Sequence, residues 1–284
     1  MIHELPLERG TLHGHFSRDL DPVLTIDAGD TVRFATPNAG WLLDDETRFE
    51  PTSSPEDDGH ALAGPIEVRG AREGQTLVVG VDEVVPGPWG DTWGQAARIR
   101  WQLDGETGVT PGGQRVRLAP FLGVLGMPPI GHGVHSTTPP RPQGGNIDCK
   151  ELVGGTTLFL PIPYDGACFS AGDGHAAQGD GEVSGTAIEC PSRAQLTLDL
   201  RDDLSLEWPC ARIDGAWLAF GFDGDLGAAA AKATDGILTI LQREHGVGRD
   251  EALAFASVVV DLRVTQVVNA VVGVHAVLRD DALR

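Results

Sequence analysis

Basic residues are scarce in this chain: 21 lysines and arginines stand against 41 aspartates and glutamates, a net charge of −20. Without a basic field to displace counterions from phosphates, nucleic-acid binding is not expected. The acidity itself reads as attraction for cations or as a plain solubility property. No stretch approaches twenty consecutive apolar residues, so no membrane-spanning helix and no membrane partner are expected. The opening MIHELPLERG has no basic flank leading into an apolar run; a secretory signal is therefore not expected, and a cytoplasmic location is. Cysteine is sparse. Cys149, Cys168, Cys190 and Cys210 match neither a CxxC pair nor a zinc ribbon, which predicts free, mostly buried thiols. HExxH, the EF-hand loop, the Walker loop and the dinucleotide fingerprint are missing. So is GxSxG, which disfavours an α/β-hydrolase.

What is present is β-forming. TLHGHFS, VLTIDAGDTVRFAT, GPIEVRGAREGQTLVVGVDEVVP and RVRLAPFLGVLG are short β-branched runs punctuated by Gly, Pro and Asp. The recurring turns AGDTV and EGQTL suggest hairpins in a sandwich or barrel. Residues 37–60 have no period and read as a long loop. Near the C-terminus, DGDLGAAAAKATDGILTILQREHG starts with aspartates able to cap, continues with alanines and ends at Gly246, which predicts a helix. A second helix begins at RDEALAFASVV, and VNAVVGVHAVL reads as a closing buried strand. The expectation is a mainly β protein, with a sandwich- or barrel-like core and a smaller C-terminal α+β part. Residues 1–120, 121–218 and 219–284 form its N-terminal, central and C-terminal regions.

Polar chemistry gathers in three segments. The first holds Asp57, Asp58 and His60; the second, GVHSTTPPRPQGGNID, holds His135, Arg141, Asn146 and Asp148; the third, GDGHAAQGDGE, holds Asp173, His175, Gln178, Asp180 and Glu182. Imidazole and carboxylate together suit zinc or a similar divalent ion. Asp173 and His175 are one residue apart, so in an extended segment both point the same way. Against this, Asp-Gly pairs at 165, 173 and 180 form turns without any chemistry, and His135 and Arg141 can serve as structural hydrogen-bonders. An intervening His and Glu is more than turns require, which favours a site at Asp173, His175 and Glu182.

GVHSTTPPRPQGGNIDCKELVGGTTLFLPI and GACFSAGDGHAAQGDGEVSGTAIE closely resemble the acetamidase/formamidase family. GHALAGPIEVRGAREGQTLVV and the tail DLRVTQVVNAVVGVHAVL are similar to its upstream and C-terminal stretches. The resemblance implies hydrolysis of a short linear carboxamide to carboxylate and ammonia, a mainly β fold, homodimers or larger assemblies, and a divalent metal, zinc first and calcium second. On this chain it points to Asn146, Asp148, Asp173, His175, Gln178 and Glu182, with His60 preceding the GPI stretch. Cys149 and the 37–60 loop depart from the family pattern. The expected arrangement has His60, Asp148, Asp173 and His175 holding one metal and Glu182 as general base. His135 or Asn146 would steady the oxyanion, and Gln178 and Arg141 would hold substrate. Two alternatives stand beside it: a covalent Glu182 or Cys149 nucleophile with a structural metal, and a non-catalytic protein binding small amides or ureas.

Overall fold

The computed structural model describes residues 1–50 and 57–283. Among these, nineteen strands and two α-helices give the mainly β architecture with a C-terminal α+β part that the sequence predicts. A nine-stranded sheet runs in the order Ile2–Glu4, Asp30–Thr36, Ser192–Arg201, Thr76–Pro86 and Thr156–Pro161. It continues through Cys210–Ile213, Ala216–Asp223, Val271–Arg279 and Val260–Asn269. The second sheet orders Gly144–Asn146, Phe121–Gly126, Phe169–His175, Leu62–Val68 and Leu12–His13, with Leu24–Ile26 pairing Leu62–Val68 in parallel. A small antiparallel sheet of Trp89–Trp93, Arg98–Leu103, Thr107–Val109 and Arg115–Arg117 stands beside them.

Side-chain alternation builds the core between the two large sheets. Leu77, Val79 and Val81 from one sheet and Leu196 and Leu198 beside them meet Ala63, Ile66, Leu122, Leu125 and Phe169 from the other. Each fully buried Leu, Val or Phe stabilises by about 1.5–3 kcal/mol relative to exposure. Segments 1–120 and 121–218 contribute interleaved strands to both sheets and share this core. The turns at AGD and EGQ do not close hairpins. The first leads from Leu24–Ile26 in the second sheet to Asp30–Thr36 in the first, and the second from Leu62–Val68 to Thr76–Pro86. Each carries the chain across the sandwich, so turn chemistry was legible where strand pairing was not.

The far face of the large sheet is covered by α1 (Leu226–His245) and α2 (Arg249–Val259). Asp225 caps α1 by accepting from the Ala228 amide, and Gly246, at φ 66°, ends it. Along Ala216–Asp223, Leu218, Phe220 and Phe222 enter the central core while Ala219 faces the helices with Ala229, Ala233 and Ile237. Gly221 sits under α1: a Cβ there would lie 2.1 Å from the Ala229 carbonyl oxygen and 2.5 Å from the Ala233 nitrogen. Both are backbone atoms, so the helix must lift. Gly221→Ala is expected to cost about 1–3 kcal/mol or more by overpacking; a denaturation midpoint equal to wild type would show that α1 rests elsewhere.

The 37–60 loop is only partly within the described residues, since 51–56 lie outside them. Trp41 is buried, stacks on Phe49 at 6.3 Å and donates its indole N–H to the Gly59 carbonyl at 2.9 Å. Asp57 follows, accepting from the Gly14 amide at 2.7 Å and from His15 Nδ1 at 2.8 Å. Nearby, His13 Nδ1 donates to the His15 carbonyl at 2.6 Å and its Nε2 accepts from the Ser170 hydroxyl at 2.9 Å. Burial pushes His13 from 6.5 down to about 4, the repulsion of His15 adding to it. The unfolded chain therefore takes a proton below pH 6.5 that the folded chain refuses until pH 4. Stability falls by about 3 kcal/mol as the pH drops through that window. His13→Gln should lack this part of the slope in denaturation series, and an unchanged slope would refute the assignment.

Candidate active site

Gly123 is the centre of the site. It lies between Leu122 and Val124, which pair with Gly174 and Gly172 across the sheet. On its other side its carbonyl accepts from the amides of Ile147 and Asp148. A Cβ on Gly123 would lie 2.6 Å from Asp148 Oδ1, 2.6 Å from Asp173 Oδ2 and 2.9 Å from His175 Cε1. A hydrogen atom in place of a side chain is what lets two acids and an imidazole from separate segments converge.

Around that floor the groups interlock. His175 Nδ1 donates to Gln178 Oε1 at 3.0 Å, which leaves Nε2 facing Asp173 Oδ2 at 3.4 Å and Glu189 Oε2 at 3.2 Å. Gln178 Nε2 donates to the Asp148 carbonyl at 2.7 Å, and Asn269 Nδ2 donates to Asp148 Oδ2. His60 hydrogen-bonds Thr137 Oγ1 through Nδ1 at 2.8 Å and turns Nε2 toward Asp173 Oδ2, 3.9 Å away. Glu182 faces Asp148 and His175, with donor atoms of the three within 4.8 Å of one another. Its loop is tied down through Gly181, whose amide donates to the Thr265 carbonyl and whose carbonyl accepts from Val267. Asp148, Asp173 and Glu182 adopt left-handed backbone conformations, φ 51°, 63° and 46°, costing roughly 1–3 kcal/mol each. Backbone strain is thus concentrated at three convergent acids.

The electrostatics are those of a buried negative pocket. Burial, then the facing Glu182, raises Asp148 well above the carboxylate range, outweighing His175. At Asp173 burial also pushes upward, but the facing imidazoles of His60 and His175 prevail and hold it below that range. Burial would lower His175, yet Glu189 and Asp173 lift it well above the usual imidazole value. Burial raises Glu182 to about 7, with Glu189 and Asp173 adding and His175 opposing. Asp148 Oδ1, Asp173 Oδ1 and Glu189 Oε2 are buried without hydrogen-bond partners. Orphaned acid oxygens around an imidazole want positive charge, and this donor set fits a divalent cation. Two sets, Asp173–His175–Glu189 and Asp148–His175–Glu182, have donor atoms all within 4.8 Å of one another.

The model of the Acetamidase/Formamidase family matches residues 124–213, the span that holds Asp148, Asp173, His175, Glu182 and Glu189. A candidate formamidase of Schizosaccharomyces pombe is 26% identical over 251 residues, 62% of this chain and 60% of that one. The acetamidase of Mycolicibacterium smegmatis is 26% identical over 216 residues, 50% and 53% of the two chains. These matches span less than two thirds of the relatives' own length. The crystal structure of an acetamidase from Bacillus halodurans is similar throughout, with TM-score 0.86 at 26% identity over 98% of this chain and 97% of that one. The chain is similar to the acetamidase/formamidase family in sequence over residues 124–213 and to an acetamidase in fold throughout.

The structure brings together His60, Asp148, Asp173, His175, Gln178 and Glu182. Gln178, expected to hold substrate, spends its amide on His175 and Asp148 and so positions them. Asn146 pairs with Val124, its Oδ1 buried and without a partner among the described residues. His135 and Arg141 stay outside. The His135 ring donates to its own loop at the Gly131 carbonyl, 2.9 Å away, and Arg141 donates to the carbonyls of Pro139 and Ser136 at 3.0 and 2.7 Å. Both side chains serve the proline-rich turn that carries them. Glu189, Asn269 and Gly123 were not singled out from the sequence. Glu189 bridges two strands, exchanging both backbone hydrogen bonds with Asp91 and pairing with His175. The signal was a lone acid in the apolar run AIEC. The four cysteines are free and buried, and Cys149 is a thiol that burial pushes well upward, unsuited to nucleophilic attack.

Proposed function

We propose that the chain hydrolyses a short linear carboxamide of the formamide or acetamide type to a carboxylate and ammonia. The observation that supports this reading is the convergence of Asp148, Asp173 and His175 above Gly123, with Glu182 and Glu189 completing two donor sets that share His175, in the span that matches the acetamidase/formamidase model. Asp148, Asp173, His175 and Glu189 would hold a divalent cation, zinc before calcium given the imidazole, with His60 at the rim. Such an ion supplies Lewis acidity toward an amide carbonyl and acidifies water.

The chain's own groups do the rest. Glu182, near 7 before any cation binds, can take a proton from the attacking water and return one to the departing nitrogen. That return matters because an amide anion is a poor leaving group. Gln178 fixes the His175 tautomer by accepting from Nδ1, and Asn269 fixes Asp148. Burial of the acids excludes bulk water and strengthens each of these interactions.

Ammonia release from formamide and acetamide by the purified, zinc-supplemented chain tests the reading. Turnover that rises with metal and stops with chelator is expected; binding of amides without ammonia release would replace an enzyme with a binding protein. We further propose a cytoplasmic homodimer or larger assembly, consistent with four free buried thiols in a reducing compartment. Among the described residues no helix is long and apolar enough to cross a membrane. A sedimentation profile that is monomeric at every concentration would remove the assembly.

A further inference from the structure

Behind the acid cluster lies a second set of donors that the amide chemistry does not use. Asp148 turns into the pocket, and Cys149, the next residue, points away from it. Cys149 Sγ lies 3.2 Å from Glu151 Oε2, and His275 Nε2 lies 3.8 Å from the same oxygen. All three donor atoms are within 4.8 Å of one another. Cys149 and His275 are 1% and 0% exposed. His275 Nε2 has no hydrogen-bond partner, a costly state for a buried ring nitrogen. Its Nδ1 is engaged with Thr265 Oγ1 at 2.8 Å, which leaves Nε2 free to act as a ligand, the usual dress of a metal-bound histidine.

From this arrangement we propose that Cys149, Glu151 and His275 form a second zinc site, separate from the acid cluster. The geometry suits the ion. With zinc bonded to sulfur at about 2.3 Å and to nitrogen and oxygen at about 2.0–2.2 Å, tetrahedral donors stand roughly 3.3–3.7 Å apart. The 3.2 and 3.8 Å edges found here need only small adjustment, and the Sγ–Nε2 edge, within 4.8 Å, closes as the ion enters. Glu151 Oε1 is occupied by Arg263 Nη1 at 2.6 Å, which steadies the carboxylate and leaves Oε2 for the ion. Arg263 also pairs with Asp180 at 2.5 Å, and Lys150 does so at 3.1 Å, so these neighbouring cations have their own anions. Glu151 borders the cleft that Gln178 and Glu182 also line, and water from it supplies the fourth ligand. Binding releases the Cys149 proton to solvent, and thiolate and carboxylate together neutralise the dication. The ion would staple the turn after Asp148 to the strand Val271–Arg279 of the nine-stranded sheet, bracing Asp148 in its left-handed conformation.

Cobalt(II) distinguishes this site from the acid cluster, because the latter's proposed ligands include no sulfur. The apo-protein loaded with cobalt(II) is expected to show a thiolate-to-cobalt charge-transfer band in the near ultraviolet. Cys149→Ser with a native circular dichroism spectrum should lose that band. Thr265→Val should weaken the titration that produces it by about 10–100-fold. A wild-type chain that takes up cobalt without the band overturns the proposal, and so does a band that survives Cys149→Ser. The reading depends on absorbance alone, so it stands or falls independently of amide turnover.

Discussion

Glu182→Gln is expected to lower kcat for amide hydrolysis by about 10²–10⁴-fold, the usual share of a positioned acid–base group. Glutamine keeps the volume of the side chain and adopts the same backbone conformation, φ 46°, at similar strain, so the fold should be retained. What is lost is the proton carrier. Glu182 faces Asp148 and stands near Glu189 and Asp173 in a buried setting. Close, buried acids share protons instead of all ionising. That is the condition for a carboxylate that accepts from water and donates to nitrogen at neutral pH. Ammonia release measured beside bound metal separates the roles. The expected variant binds its cation and turns over slowly; full turnover would remove Glu182 as the base, and loss of the cation would make it a ligand.

Sequence reading reached those parts of the fold that are decided locally. The Asp225 cap and the Gly246 stop bracket α1 because capping depends on a handful of adjacent residues. Sheet pairing depends on partners a hundred residues away, and so the AGD and EGQ turns, correct as turns, were assigned to hairpins that do not exist. The site divides in the same way. Asp148, Asp173 and Glu182 stood out because glycines surround them, and glycine-rich backbone is where left-handed acids and close strand approaches occur. Glu189 and Asn269 lie in apolar strand surroundings, AIEC and VVNAVV, and only the packed sheets bring them to His175 and Asp148. His135 and Arg141 illustrate the converse. Their segment does reach the site through Asp148, but the carbonyls of Gly131, Ser136 and Pro139 take up their donors.

Gly123→Ala should abolish most of the activity without deleting any functional group. Gly123 is not among the residues with positive φ, so its backbone accepts alanine and the effect is purely one of space. The added methyl would sit 2.6 Å from an oxygen of Asp148, 2.6 Å from an oxygen of Asp173 and 2.9 Å from a His175 carbon. Contacts this short force movement, and the neighbours have little room to give. Asp148 is held by Asn269 and, through its carbonyl, by Gln178; His175 is held by Gln178 and packs edge-on against Phe121 at 5.0 Å. Spreading the three ligands by the better part of an ångström should lower cation affinity and reduce kcat/KM together by about 10²-fold or more. The accompanying loss of stability should be about 1–3 kcal/mol, too small to unfold a chain of ordinary stability. Gly10→Ala, where nothing lies within 4 Å of the new carbon, is the control and should match wild type in both measurements. Calorimetric metal titration and ammonia release on the two variants decide the matter. If Gly123→Ala kept wild-type affinity and turnover, Asp148, Asp173 and His175 could not be acting on a common point, and the proposed centre would have to be abandoned.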